Sequence, residues 1–137
     1  MSIWTHVAAI ARIDILPYDI NDPTELFGKQ CLFNDPDETW DDMIANKDKY
    51  LPCGSEGTLH IEVWKNPEDN HADQWCVSIF GDLRDYESGE DIIEWFKDKL
   101  SQCKMVRQAV ITVESEYYGK WIWNYEQPID DEEEEDE

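Results

Sequence analysis

Three features of the sequence predict an α+β fold. Apolar residues alternate with polar ones in several separate runs, the pattern of half-buried strands. A capped, amphipathic helix signal begins at Ser88, and a shorter helix signal begins at Asp22. Taken along the chain, the order is strand, helical region, strand, strand, helix, strand, strand. The first six elements match the β-α-β-β-α-β order of a ferredoxin-like sandwich. Its helices would cover one sheet face, and an additional C-terminal β-hairpin strand would extend the sheet edge. Residues 1–129 are expected to form this single domain, with 130–137 as a disordered acidic tail.

The first strand runs from Ile3 to Leu16. Ile3, Val7, Ala9, Ala11, Ile13 and Ile15 are expected on one face, and Trp4, His6, Arg12 and Asp14 on the other. The small Ala9 and Ala11 leave room for a helix close to that face, and Pro17 ends the strand. Asp22-Pro23-Thr24-Glu25 combines a capping acid, a proline at the first helical position and an acid in the first turn. A short helix here would turn Leu26 and Phe27 inward and stop near Gly28. Asn34-Asp35-Pro36 signals a turn. Thr39 would cap a second helical stretch carrying Trp40, Met43, Ile44 and Leu51 as far as Pro52.

Thr58 to Trp64 alternates again, with Leu59, Ile61 and Val63 on one side and His60, Glu62 and Trp64 on the other. Gln74 to Leu83 is the next strand, sharing a face through Trp75, Val77 and Ile79. The polar residues between them make an antiparallel hairpin. Ser88-Gly89-Glu90-Asp91 is close to a capping box. From there Ile92, Trp95, Phe96, Lys99, Leu100 and Cys103 form the inward stripe, with Asp91, Glu94 and Asp98 opposite. Val106 to Tyr117 supplies another strand through Ala109, Ile111 and Val113. Tyr118-Gly119 turns the chain into a last strand, Lys120 to Tyr125, rich in aromatic residues.

Charge bounds the functional classes. The chain of 137 residues carries 33 acids against 11 bases, a formal net charge of −22. Without the eight acids of 130–137, the remainder still has 25 acids against 11 bases. Such a domain repels nucleic acid and anionic membrane, and attracts basic protein surfaces. No run of 18 apolar residues is present, so no transmembrane helix is expected. The N-terminal residues lack the layout of a signal peptide, so the expected location is the cytoplasm. The cysteines Cys31, Cys53, Cys76 and Cys103 form no Cys-x-x-Cys pair, and four reduced thiols are expected.

The motifs of catalysis and metal binding are missing. His6, His60 and His71 have no ligand spacing, although His6 and His60 would lie on neighbouring strand faces. A pairing of Cys76 with His60 across adjacent strands is the remaining nucleophile candidate. No Gly-x-Ser-x-Gly or P-loop occurs. No enzyme, metal or cofactor is therefore expected. In the turn from Gly81 to Tyr86, Arg84 is expected to pair with Asp82 and Asp85 and brace the crossover.

Two surfaces remain as partner-binding candidates. Trp4, Trp64, Trp121 and Trp123 would form an aromatic patch on an open sheet face, suited to a protein partner or a homodimer. Asp91, Glu94 and Asp98 would line an acidic helix face able to imitate a row of phosphates. The first reading is a non-enzymatic protein-binding or accessory protein. The alternatives are an acidic DNA mimic that inhibits a nucleic-acid-binding host protein, and a small enzyme with an unrecognised pocket. The segments Trp4-Thr5-His6-Val7 and Gly81-Asp82-Leu83-Arg84-Asp85-Tyr86 resemble small, uncharacterised phage and prophage proteins. The resemblance touches about a fifth of the chain. It implies a bacteriophage or mobile-element accessory role, in the host cytoplasm, and assigns no residue a function.

Overall fold

The structure is a computed structural model that describes residues 3–30, 49–54, 56–65, 74–86 and 88–126. Five strands form one sheet: β1 (Trp4–Ile15), β2 (Leu59–Lys65), β3 (Trp75–Arg84), β4 (Met105–Ser115) and β5 (Gly119–Asn124). The helices among the described residues are α1 (Pro23–Phe27) and α2 (Gly89–Ser101). The strand order is β2-β3-β1-β4-β5, and every neighbouring pair is antiparallel. The architecture is α+β.

β1, the longest strand, is the middle one and buries one side along most of its length. Thr5, Val7, Ala9, Ala11 and Ile13 are buried, and His6, Ala8, Ile10 and Arg12 are exposed. The alternation breaks at the end of the strand. Pairing with β4 shifts register between Arg12 and Ile13 and again before Ile15. The second shift sets two β1 residues, Asp14 and Ile15, against the single step from Val106 to Met105, so the strand goes out of phase after Ile13. Ile15, expected inside, is therefore 44% exposed, while Asp14, expected outside, is 9% exposed. Asp14 is accommodated by Arg107, whose Nε donates to its Oδ2 at 2.6 Å.

The helices form as their caps direct. Asp22 accepts a hydrogen bond from the Thr24 backbone at 2.7 Å and also from the Thr24 hydroxyl. Pro23 opens α1, Leu26 and Phe27 are buried, and Gly28 ends it at φ 119°. A side chain at Gly28 would meet the Tyr50 backbone at 2.7 Å, so both the dihedral and the space require glycine. Ser88 caps α2 by accepting from the Asp91 amide at 3.3 Å. Ile92, Ile93, Phe96 and Leu100 are buried, with Trp95 and Cys103 packed at the rim of the core.

Both helices lie over the same sheet face. Phe27 of α1 stacks on Phe96 of α2 with centroids 6.1 Å apart, and Trp95 meets Phe27 edge-on at 6.3 Å. Beneath them lie Val77, Ile79 and Leu83 of β3, with Ala109, Ile111 and Val113 of β4. Among the described residues, no helix lies over the other face. The expected second helical stretch after Thr39, the Asn34–Pro36 turn, the loop 66–73 with His71, and the tail 130–137 lie outside the described residues. The expectation of four reduced thiols fails at Cys53, which is disulfide-bonded. Cys76 and Cys103 are free thiols. No helix among the described residues is long and apolar enough to cross a membrane.

Candidate functional site

The register of the sheet assembles its uncovered face. His60, Phe80, Ala8, Thr112 and Ile122 form one row across all five strands. The next row is Glu62, Ser78, Ile10, Val110 and Asn124. At the centre, therefore, Ala8, Ile10, Phe80, Val110 and Ile122 form an apolar band. Ile10 is 41% exposed, Phe80 45% and Ile122 57%. These three exposed side chains lie within two adjacent rows of the same face.

The band has two polar ends. At one, His6 Nδ1 lies 2.6 Å from Asp82 Oδ1, and its Nε2 lies 3.5 Å from Glu116 Oε2. The hydrogen bond with Asp82 raises the His6 pKa above its ordinary value; desolvation opposes it, and the charges of Asp82 and Glu116 add to the rise. Glu114 and Lys120 face one another in the same row. At the other end, Arg12 lies beside Cys76 of β3 and Gln108 of β4. A cavity of about 350 Å³ opens there, lined by Arg12, Asp14, Trp64, Trp75, Cys76 and Arg107.

Compared with known proteins, the chain matches no family model, no curated protein and no solved structure.

The aromatic candidates do not form one patch. Trp4 and Trp64 lie on the uncovered face but at opposite ends, Trp4 opposite Arg84 and Trp64 opposite Cys76. Trp64 is exposed, whereas Trp4 is half-buried, its ring close to Gly57. Trp121 and Trp123 belong to the helix side. They pair with Val113 and Ile111, both buried, and so share the core face of the sheet. Trp121 lies directly on Gly89, where an added Cβ would be 2.2 Å from its ring. Trp123 meets Phe96 edge-on at 6.1 Å, and Lys97 Nζ sits 5.8 Å from its ring centroid. The physical reason is period two: with Ile122 outward, its neighbours on both sides must turn inward.

The acidic candidates are where the helical period puts them. Asp91, Glu94 and Asp98 are all exposed along α2. Two have local partners: Lys97 Nζ donates to Glu94 Oε1 at 3.4 Å, and Gln102 Nε2 donates to Asp98 Oδ2 at 3.4 Å. Asp91 reinforces a rise in the Tyr86 pKa that is caused mainly by burial. Glu94 also joins Trp121 and Trp123 in a groove of about 540 Å³ between α2 and β5.

The remaining chemical candidates separate. β3 lies between β1 and β2, so His6 and His60 are not on neighbouring strands. His60 instead has Nε2 2.5 Å from Glu62 Oε1 and packs against Phe80 with centroids 5.3 Å apart. Cys76 faces Trp64 rather than His60. Burial pushes the Cys103 thiol up to about 11. Among the described residues, no three His, Cys, Asp or Glu side chains are grouped to hold a metal ion.

The turn after β3 is braced, with a change of partner. Arg84 pairs with Glu56 at 2.8 Å and Asp85 at 3.6 Å, while Asp82 turns to His6. Asp85, at φ 56°, ties the turn to the chain start through a 2.7 Å bond from its amide to the Ile3 carbonyl. The surface residues missed from sequence were Ile10, Phe80, Val110 and Ile122. Their signal was present: each is an apolar residue on the polar phase of its strand.

Proposed function

We propose that this chain is a non-enzymatic, protein-binding accessory protein of phage type, and that it docks its partner on the uncovered face of the sheet. The observation that carries the reading is the apolar band of Ala8, Ile10, Phe80, Val110 and Ile122. It lies exposed on a chain whose formal charge is −22. Burying such a band stabilises a complex by about 25 cal/mol per Å² of apolar area. A band across four strands also favours a macromolecular partner over a small substrate, which needs a concave site with convergent polar groups.

Finer parts of the reading rest on other support. The order β2-β3-β1-β4, antiparallel throughout, supports a ferredoxin-like core to which β5 adds an edge strand. The phage-type assignment rests on the resemblance carried by Trp4–Val7 and Gly81–Tyr86. The cytoplasmic setting belongs to the same proposal, and the Cys53 disulfide weighs against it. Direct binding to nucleic acid or to an anionic membrane is disfavoured by charge.

The exposed carboxylates Asp91, Glu94 and Asp98 support one second reading, a DNA mimic that occupies a basic host channel. Two variants separate the readings. Phe80→Glu places a charge in the apolar band, and the triple change Asp91→Asn, Glu94→Gln, Asp98→Asn neutralises the helix row. Quantitative capture of host proteins on the wild-type chain and on each variant is the measurement. Specific partners lost with Phe80→Glu and kept with the triple variant support docking on the sheet. The opposite pattern would replace it with the mimic.

A further inference from the structure

We propose that the partner on the uncovered face is a second copy of this chain, related by a two-fold axis that crosses the strands near Ala8 and Ile10. The inference rests on the docking reading above and names its occupant. Three observations carry it: the charge of the face, its size and the polarity of its ends.

Two molecules of the same strongly acidic chain approach closely most readily through a surface of little net charge. The uncovered face is such a surface. Across its paired strand positions and the adjoining Glu116, the bases Arg12, Arg84 and Lys120 stand against the acids Glu62, Asp82, Glu114 and Glu116, close to balance. The rest of the chain supplies the negative excess. A foreign basic partner would be drawn to the acidic surfaces instead, and would gain no long-range attraction from this one.

The face is also of the right size. Five strands about 4.8 Å apart, and about 20 to 40 Å long at about 3.3 Å per residue, offer roughly 600–800 Å². One side of a standard protein interface contributes about 800 Å². Two twisted sheets packing face to face would lie about 10 Å apart, with the apolar bands interleaved.

The polarity of the ends selects the axis. One end is acidic, with Asp82, Glu114 and Glu116 around His6 and Lys120. The other carries Arg12, which makes no ion pair or hydrogen bond through its guanidinium among the described residues. Its neighbour Arg107 is already engaged by Asp14. An axis along the strands would set Arg12 against Arg12 and acid against acid. An axis across the strands sets each Arg12 against the partner copy's Glu114 end, twice by symmetry.

The test is sedimentation equilibrium of the full chain at neutral pH and moderate salt, over a wide concentration range. The wild-type chain should show a reversible monomer–dimer equilibrium. Arg12→Glu and Glu114→Arg should each weaken it by about tenfold or more. The combined Arg12→Glu, Glu114→Arg variant should return to wild-type affinity. Glu114 pairs with His6, six residues from Arg12 on β1, so within one chain the two charges stand about 20 Å apart. Recovery must therefore arise between copies. Phe80→Glu should leave a monomer with an unchanged circular dichroism spectrum. A monomeric wild type, a dimer indifferent to Phe80→Glu, or a double variant that stays weak would each overturn the proposal. A monomeric wild type whose capture of another protein is still lost with Phe80→Glu would overturn only the second copy, leaving the face as the docking surface.

Discussion

At the scale of single residues, charge placement is decided by cross-strand neighbours rather than by sequence neighbours. His6 shows this. Its carboxylate partners, Asp82 and Glu116, come from positions far along the chain and meet it only because β3 and the β4–β5 turn flank β1. Its folded pKa is raised, chiefly by the hydrogen bond to Asp82. The sign follows directly. A raised pKa means that the protonated form is favoured by folding. This contribution is fully present below the ordinary value of 6.5 and is lost as pH rises through the folded value. Because the ring is exposed, the effect on stability is small. NMR titration of the His6 ring should give a midpoint above 6.5, and Asp82→Asn should move it back down. A midpoint unchanged by Asp82→Asn would assign the shift elsewhere. Asp14 and Ile15 make the complementary point. Alternation alone assigns them to opposite faces of a regular strand; the register shift after Ile13 puts Ile15 out of phase, while Asp14 is buried beside Arg107.

At the scale of elements, what was legible in the sequence was whatever rests on local chemistry. The Asp22 and Ser88 caps, the Gly28 stop, the inward turn of Leu26 and Phe27 and the exposure of Asp91, Glu94 and Asp98 are set by neighbours within a turn or two. So is the β2–β3 hairpin. The apolar band was less legible because it depends on strand order. Ile10, Phe80 and Ile122 each stand out as an apolar residue on the polar phase of a strand, but become a band only when β3, β1, β4 and β5 stand side by side. The tryptophans of β5 were misplaced for a related reason. An aromatic-rich edge strand gives no clue to which of its two phases faces the helices. The deciding feature is Gly89, whose missing side chain lets α2 descend onto Trp121. Gly89→Ala should destabilise the protein by about 1–3 kcal/mol, the usual cost of an extra carbon in a packed contact. Thermal unfolding monitored by near-ultraviolet circular dichroism would measure it. No loss of stability would mean that Trp121 does not lie against α2.

At the scale of the whole molecule, the charge of −22 opposes any association between copies. Salt should therefore promote the dimer. Raising ionic strength from about 0.01 M to about 0.15 M shortens the screening distance from about 30 Å to about 8 Å. Long-range repulsion between the acidic exteriors then falls away, while the apolar band is little affected. Dimer affinity measured by sedimentation should rise over this range. A steep fall with salt would instead point to attraction between opposite charges as the source of binding, as in a phosphate mimic. The position of β1 has one more consequence. The first strand to be synthesised is the middle strand of the finished sheet, and its two neighbours span residues 75–84 and 105–115. A growing chain thus carries an apolar strand with both edges bare until most of the protein has been made. Closing the sheet requires contacts between residues about a hundred positions apart, which slows folding. Throughout that interval, the net negative charge of the chain opposes the pairing of one bare strand with another.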